Sequence, residues 1–151
     1  MSTQVIDVFC HVLPPVYSEA VRRVAKPPFM FERATGIPTM CNLDARFRLM
    51  DAIEGYRQII SLASPPIESL GHAGRVRELA RIANDAMAEW VAKYPDRFAG
   101  FVASLPLHDV ETSLRETDRA CKELGALGVQ LFSSVNSQPV DTPEVMQTIE
   151  H

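Results

Sequence analysis

The stretch VIDVFCHVLPP, Val5 to Pro15, carries the residue types best suited to chemistry in this chain. Asp7 offers a carboxylate and His11 an imidazole, inside an apolar run that stops at a double proline. Side chains of an extended strand alternate between its two faces. Asp7, Phe9 and His11 are therefore expected on one face, with Val8, Cys10 and Val12 on the other. Two ligands on one strand reach a common metal ion only at i and i+2. Positions 9 and 11 have that spacing, but Phe9 has no electron pair to give. From the residues alone, His11 is either a ligand or a hydrogen-bonded residue at a strand end.

Other candidates are scattered. Arg33 and Arg46 could each clamp a carboxylate with two parallel N–H bonds. Arg33 is preferred because it lies in a long connecting segment, whereas Arg46 reads as the solvated side of a helix. Asn136, after the last apolar segment, is read as a substrate-binding or loop-ordering residue. His72, in a Gly-His-Ala-Gly turn, is expected at the surface, and His108, beside Asp109 in LPLHD, in a loop. Met87 and Trp90 belong to a core stripe.

Four apolar segments rich in β-branched residues read as the strands that would position these groups: Val5–Leu13, Gln58–Ala63, Phe98–Leu105 and Gly128–Phe132. Nearly continuous apolar runs suit strands covered on both faces, as in a parallel sheet. Helical spacing lies between them. Leu43, Phe47, Met50 and Ile53 follow Asn42 as a cap, with Gly55 as a stop. Val76, Leu79, Ala83, Met87, Trp90 and Tyr94 form a second stripe, closed by Pro95. Val110, Leu114, Thr117, Cys121 and Leu124 form a third between Asp109 and Gly125, and Thr142-Pro143-Glu144 opens a fourth helix. Strand followed by helix four times over means right-handed βαβ units and an α/β fold. An open doubly wound sheet and half of an eight-stranded barrel both satisfy the pattern. The segment from Pro14 to Cys41 exceeds the usual few residues of a βα loop and is expected to be a loop or lid after the first strand, at the ligand-binding end.

Composition excludes several classes. With 46% hydrophobic and 23% charged residues among 151, the chain can bury a core. A net charge of −4, without a Lys/Arg-rich stripe, argues against a nucleic-acid surface. No apolar run approaches the roughly 20 residues of a membrane helix, so no membrane partner is expected. Cys10, Cys41 and Cys121 are odd in number and widely spaced, which suits reduced thiols in a cytoplasmic protein.

Asp7-Val8-Phe9-Cys10-His11 with Leu13-Pro14-Pro15 resembles the Asp-x-His-x-His…Leu-Pro opening of the amidohydrolase-2 family, of the aminocarboxymuconate-semialdehyde and γ-resorcylate decarboxylase type. LDARFRLMDAIEGYRQIISLASPP, NDAMAEWVAKYPDRFAGFVASLPLHD and RACKELGALGVQLFSSVNSQPVDTPE are similar to that family's next helices and strands, in the right order. Only Pro14 to Cys41 matches poorly. The resemblance implies a (β/α)8 TIM-type barrel of the metal-dependent hydrolase superfamily, with residues 1–151 forming about the first four βα units of a longer parent. A segment of that kind is expected not to fold well alone.

The resemblance also implies a divalent metal, most simply Zn²⁺, with His11 as ligand, Asp7 in a supporting shell, and Arg33 and Asn136 toward substrate. The family's leading histidine corresponds to Phe9 here. Its remaining ligands, and the acid or base, correspond to positions beyond residue 151. The implied activity is decarboxylation, or a related hydrolysis or hydration, of a small carboxylated, aromatic or muconate-like substrate. A homo-oligomer, as a dimer, is implied for the parent. The rival reading, raised by Phe9, is a metal-free barrel relative that binds a small ligand or supports a partner.

Overall fold

The computed structural model describes residues 4–24, 28–135 and 138–151. Strands β1 (Val5–Val12), β2 (Tyr56–Leu62) and β3 (Phe98–Phe101) lie side by side in that order, all parallel. After Val102 the third strand resumes as β4 (Ala103–Ser104), which pairs in parallel with β5 (Val129–Gln130). Val102 N–H donates to the Ile60 carbonyl at 2.8 Å, so β3 and β4 are two parts of one strand beside β2. The spatial order therefore follows the chain order without reversal. A doubly wound sheet reverses its strand order at a switch point; this one winds steadily, as the first half of a β/α barrel does.

The helices start where side-chain oxygens cap them. Asn42 accepts from Ala45 N–H at 2.9 Å and opens α4 (Leu43–Met50). Asp109 accepts from Thr112 N–H at 2.7 Å and opens α6 (Val110–Asp118), which runs on as a wider π turn over Arg119–Glu123. Thr142 caps α7 (Pro143–Ile149), and a short antiparallel pair, Ser134–Val135 with Gln138–Pro139, precedes it. The long α5 (Ala73–Lys93) buries Val76, Leu79, Ala80, Ala83 and Met87 against the sheet. No helix among the described residues is long and apolar enough to cross a membrane.

The segment expected as a loop over 14–41 is helical instead. It forms α1 (Pro15–Val24), α2 (Phe29–Thr35) and α3 (Pro38–Cys41). Its prolines open helices: Pro15 and Pro38 stand at first helical positions, where the missing N–H costs nothing. Tyr17 and Val21, one helical turn apart, and Phe31 are fully buried, which docks this segment on the domain rather than leaving it in solvent. Ile53, expected in the α4 stripe, lies beyond that helix and is exposed.

A buried polar clasp joins α5 to the third strand. Asn84, fully buried, accepts from Ser104 N–H at 2.9 Å and donates to the Ser104 carbonyl at 3.0 Å and to Glu116 Oε1 at 2.7 Å. Arg119 forks onto the same carboxylate at 2.7 and 2.9 Å and reaches Asp85.

Candidate functional site

His11 stands one residue before the end of β1, the end at which the site of a β/α barrel lies. In the parallel register His11 is opposite Ser61, and paired residues point to the same side. Its ring is half-buried, and Nδ1 lies 2.9 Å from Ser61 Oγ. With the proton on Nδ1 and donated to Ser61, Nε2 keeps its lone pair free. Burial, helped by the Arg46 charge behind the strand, holds the His11 pKa below the ordinary imidazole value and favours the neutral ring. A neutral imidazole with one nitrogen tied and the other free is the form that binds a metal ion.

Phe9 is the ring's neighbour. The two centroids lie 4.7 Å apart at 68°, edge to face, and Phe9 is 79% exposed. The residue at the family's leading-histidine position thus contacts His11 but cannot ligate. Among the described residues no group of three or more His, Cys, Asp or Glu could hold a metal ion. His11 fits the role of one ligand; residues 1–151 do not supply a full set.

Asp7 lies elsewhere than strict alternation predicts. Between Asp7 and Cys10, β1 carries one more residue than β2, a bulge. Asp7 is opposite Gln58, and Cys10 opposite Ile60, so both face the helices while Phe9 and His11 face the inner side. The shared face expected for Asp7 and His11 is broken by that single residue. Asp7 instead accepts from Tyr56 Oη at 2.6 Å and from Phe9 N–H at 3.0 Å, and those two bonds hold its carboxyl below the usual range. Cys10, buried beside this carboxylate, has its thiol pushed up to about 11, chiefly by burial, so it is no thiolate ligand.

Arg46 is the larger correction. Expected in solvent, it is 6% exposed beneath the sheet. It donates from Nε to the Thr39 carbonyl at 2.8 Å, from Nη1 to Gln58 Oε1 at 2.6 Å and from Nη2 to the His11 carbonyl at 2.5 Å. Gln58 Nε2 donates to Tyr56 Oη at 3.2 Å, which links Arg46 to Asp7 through two side chains. The sequence held a signal for this: Arg46 is three residues after Leu43 and four before Met50, inside the apolar stripe of α4. Ser61 was likewise implied by the parallel pairing of two strands whose ends align, but only the register names it.

Arg33 sits exposed on α2 and makes no hydrogen bond or ion pair with the His11 cluster among the described residues. Asn136 lies outside the described residues. His72 is exposed at the start of α5. His108, after β4, is half-buried with Nδ1 enclosed and unpartnered; burial, then the nearby His72 charge, lowers its pKa.

Comparison with known proteins follows the same outline. The family model described as amidohydrolase matches residues 6–150. A γ-resorcylate decarboxylase of Polaromonas sp. is 46% identical over 99 residues, covering 64% of this chain and 30% of that protein. The structure of a dihydroxybenzoic acid decarboxylase from Polaromonas sp. JS666, with bound manganese and the inhibitor 2-nitroresorcinol, superposes with TM-score 0.75 at 29% identity, over 99% of this chain and 46% of that one. A 5-carboxyvanillate decarboxylase from Sphingomonas paucimobilis superposes with TM-score 0.83 at 24% identity, over 99% of this chain and 48% of that one, which speaks to the fold alone. The chain spans less than half the length of the relatives it matches.

Proposed function

The chain belongs to the amidohydrolase family, and from that premise we propose that it is the N-terminal half of a metal-dependent decarboxylase acting on a small carboxylated aromatic substrate. On this reading residues 1–151 form the first four βα units of one (β/α)8 barrel, with α1, α2 and α3 following β1. The observation that carries the reading is His11: at the ligand end of β1, on the inner face, with Nδ1 directed at Ser61 and Nε2 free. The 46% identity to a γ-resorcylate decarboxylase and the manganese in the 29% identical structure support the choice of chemistry.

A divalent ion bound there would supply Lewis-acid polarisation of substrate oxygens. His11 provides one donor to it, with the others contributed by the rest of the barrel. We take Mn²⁺ as the first ion to test and Zn²⁺ as the comparator. In the reaction the bond from the ring carbon to the carboxylate breaks, CO₂ leaves, and the ring carbon takes a proton in its place. Arg33, on α2, is the residue of this half proposed to meet the substrate carboxylate, and Asn136 is the second residue proposed to bind substrate. Asp7 supports the site through the backbone, by holding the Phe9 N–H, and not through the imidazole.

The test uses the intact protein that contains residues 1–151, stripped and reloaded with Mn²⁺ or Zn²⁺. CO₂ release from 2,6-dihydroxybenzoate and from 5-carboxyvanillate is followed. Metal-dependent release, lost on chelation and reduced at least about 100-fold in His11→Ala, is expected. Turnover that survives both chelation and His11→Ala would overturn the reading.

A further inference from the structure

Arg46 poses a physical problem that its neighbours resolve. It is a guanidinium almost wholly removed from water, and it forms no ion pair among the described residues. Burying an unpaired charge is costly unless every donor finds an acceptor. Each of its three nitrogens donates one of the guanidinium's five N–H groups, and each acceptor belongs to a different element: α3 through Thr39, β2 through Gln58 and β1 through His11. The nearest carboxylate network is Asp7, reached through Gln58 and Tyr56.

The contact with His11 falls at an informative place. The Val12 carbonyl accepts Ala63 N–H at 2.9 Å, on the side of β2. Carbonyls alternate along a strand, so the His11 carbonyl points away from β2. Arg46 is the donor that reaches it. Just beyond, Leu13 N–H donates to the Met40 carbonyl of α3 at 2.8 Å. The backbone on both sides of Val12 is thus pinned from outside by α3 and Arg46, while the ring of His11 is held from inside by Ser61.

We propose that Arg46 is the positioning residue of His11: from the helix side of the sheet, its planar fork locks the end of β1 so that the imidazole meets Ser61 with Nε2 presented inward. The proposal rests on the reading of His11 as a metal ligand for its use, though not for its geometry. Lysine cannot replace Arg46, because one ammonium cannot span three acceptors set around a plane. The bulge serves the same end. Asp7 accepts the Phe9 N–H and, through Tyr56 and Gln58, completes a chain of side chains from one side of the bulge to the carbonyl of His11.

The intact protein is compared with Arg46→Lys, Arg46→Met and a core control on α5, Leu79→Ala. In the metal-free state, long-range ¹H–¹⁵N spectra report the protonation of each His11 nitrogen. A single neutral tautomer with the proton on Nδ1 is expected in the parent and in Leu79→Ala. Both Arg46 variants should show mixed tautomers. Mn²⁺ affinity, from the paramagnetic resonance of the free ion, should fall about tenfold or more in the Arg46 variants and stay within about twofold in the control, whatever the loss in Tm. Parent-like tautomers and affinity in both Arg46 variants would overturn the proposal, as would equal losses in Leu79→Ala. If Arg46→Met does not fold, Gln58→Leu, which frees one arm of the fork, must shift the same spectrum or the proposal fails. A parent protein that binds no divalent ion refutes the metal reading, and the tautomer spectra then decide the positioning role by themselves.

Discussion

Asn84→Ala tests the buried clasp between α5 and the third strand. Asn84 is fully buried, so no water can replace what the amide provides. The change removes two bonds to Ser104, at 2.9 and 3.0 Å, and one to the Glu116 carboxylate at 2.7 Å. A neutral hydrogen bond is worth about 1 kcal/mol net, and one to a charged group about 1.5–3 kcal/mol. The Ser104 N–H is also left buried without an acceptor. Glu116 keeps Arg119 at 2.7 and 2.9 Å, so its charge is not stranded. The expected loss is about 3–5 kcal/mol, a large part of the roughly 5–15 kcal/mol that holds a typical domain together. Urea unfolding of the intact protein, parent against variant, measures it. Glu116→Gln alone and the double variant complete a cycle, in which the shared 2.7 Å bond should make the losses less than additive. A loss below about 1 kcal/mol, or strict additivity, would show that water or a shifted backbone satisfies Ser104 and would refute the reasoning.

Three further outcomes are expected. Ser61→Ala frees Nδ1 of His11, and Mn²⁺ affinity should drop about tenfold, measured by chelator competition; an unchanged affinity would mean that the ring is oriented without it. Phe9→His places a second imidazole where a ring already lies 4.7 Å from His11, and affinity should rise about tenfold, or ~1.4 kcal/mol; no rise would place Phe9 outside the reach of the ion. His108 has a folded pKa lowered from 6.5, so between those two values the unfolded chain binds the proton first. Stability should therefore be full above about pH 6.5 and fall as the pH drops toward the folded value. Replacing His108 by Gln should flatten that part of a urea-midpoint profile taken from pH 7.5 to 5, and an unaltered slope would contradict the assignment.

The parallel strands, the capped helices and the family were legible in the chain, because each depends on local pattern. Asn42, Asp109 and Thr142 cap the helices they were expected to cap, since a capping oxygen needs only the next turn. The segment 14–41 is too long for a βα loop because it holds helices of its own, and Pro15 and Pro38 stand at first helical positions, where proline is welcome. The charge of Arg46 points to solvent, but its place in the apolar stripe of α4 decides its burial. The choice between barrel and open sheet could not be made from periodicity, which says that a strand exists and not which strand it pairs with.

The amino-acid order by itself determined the repeated βα units, the apolar run that holds His11 and the loss of a donor at Phe9, all properties of neighbours along the chain. Only the tertiary structure decided which face each group would occupy. One extra residue in β1 turns Asp7 to the helices, while the register of β2 brings Ser61 to the imidazole and the packing of α4 brings Arg46 beneath it. Register and docking arise from contacts between residues 35 to 50 positions apart, and such contacts leave no period in the sequence.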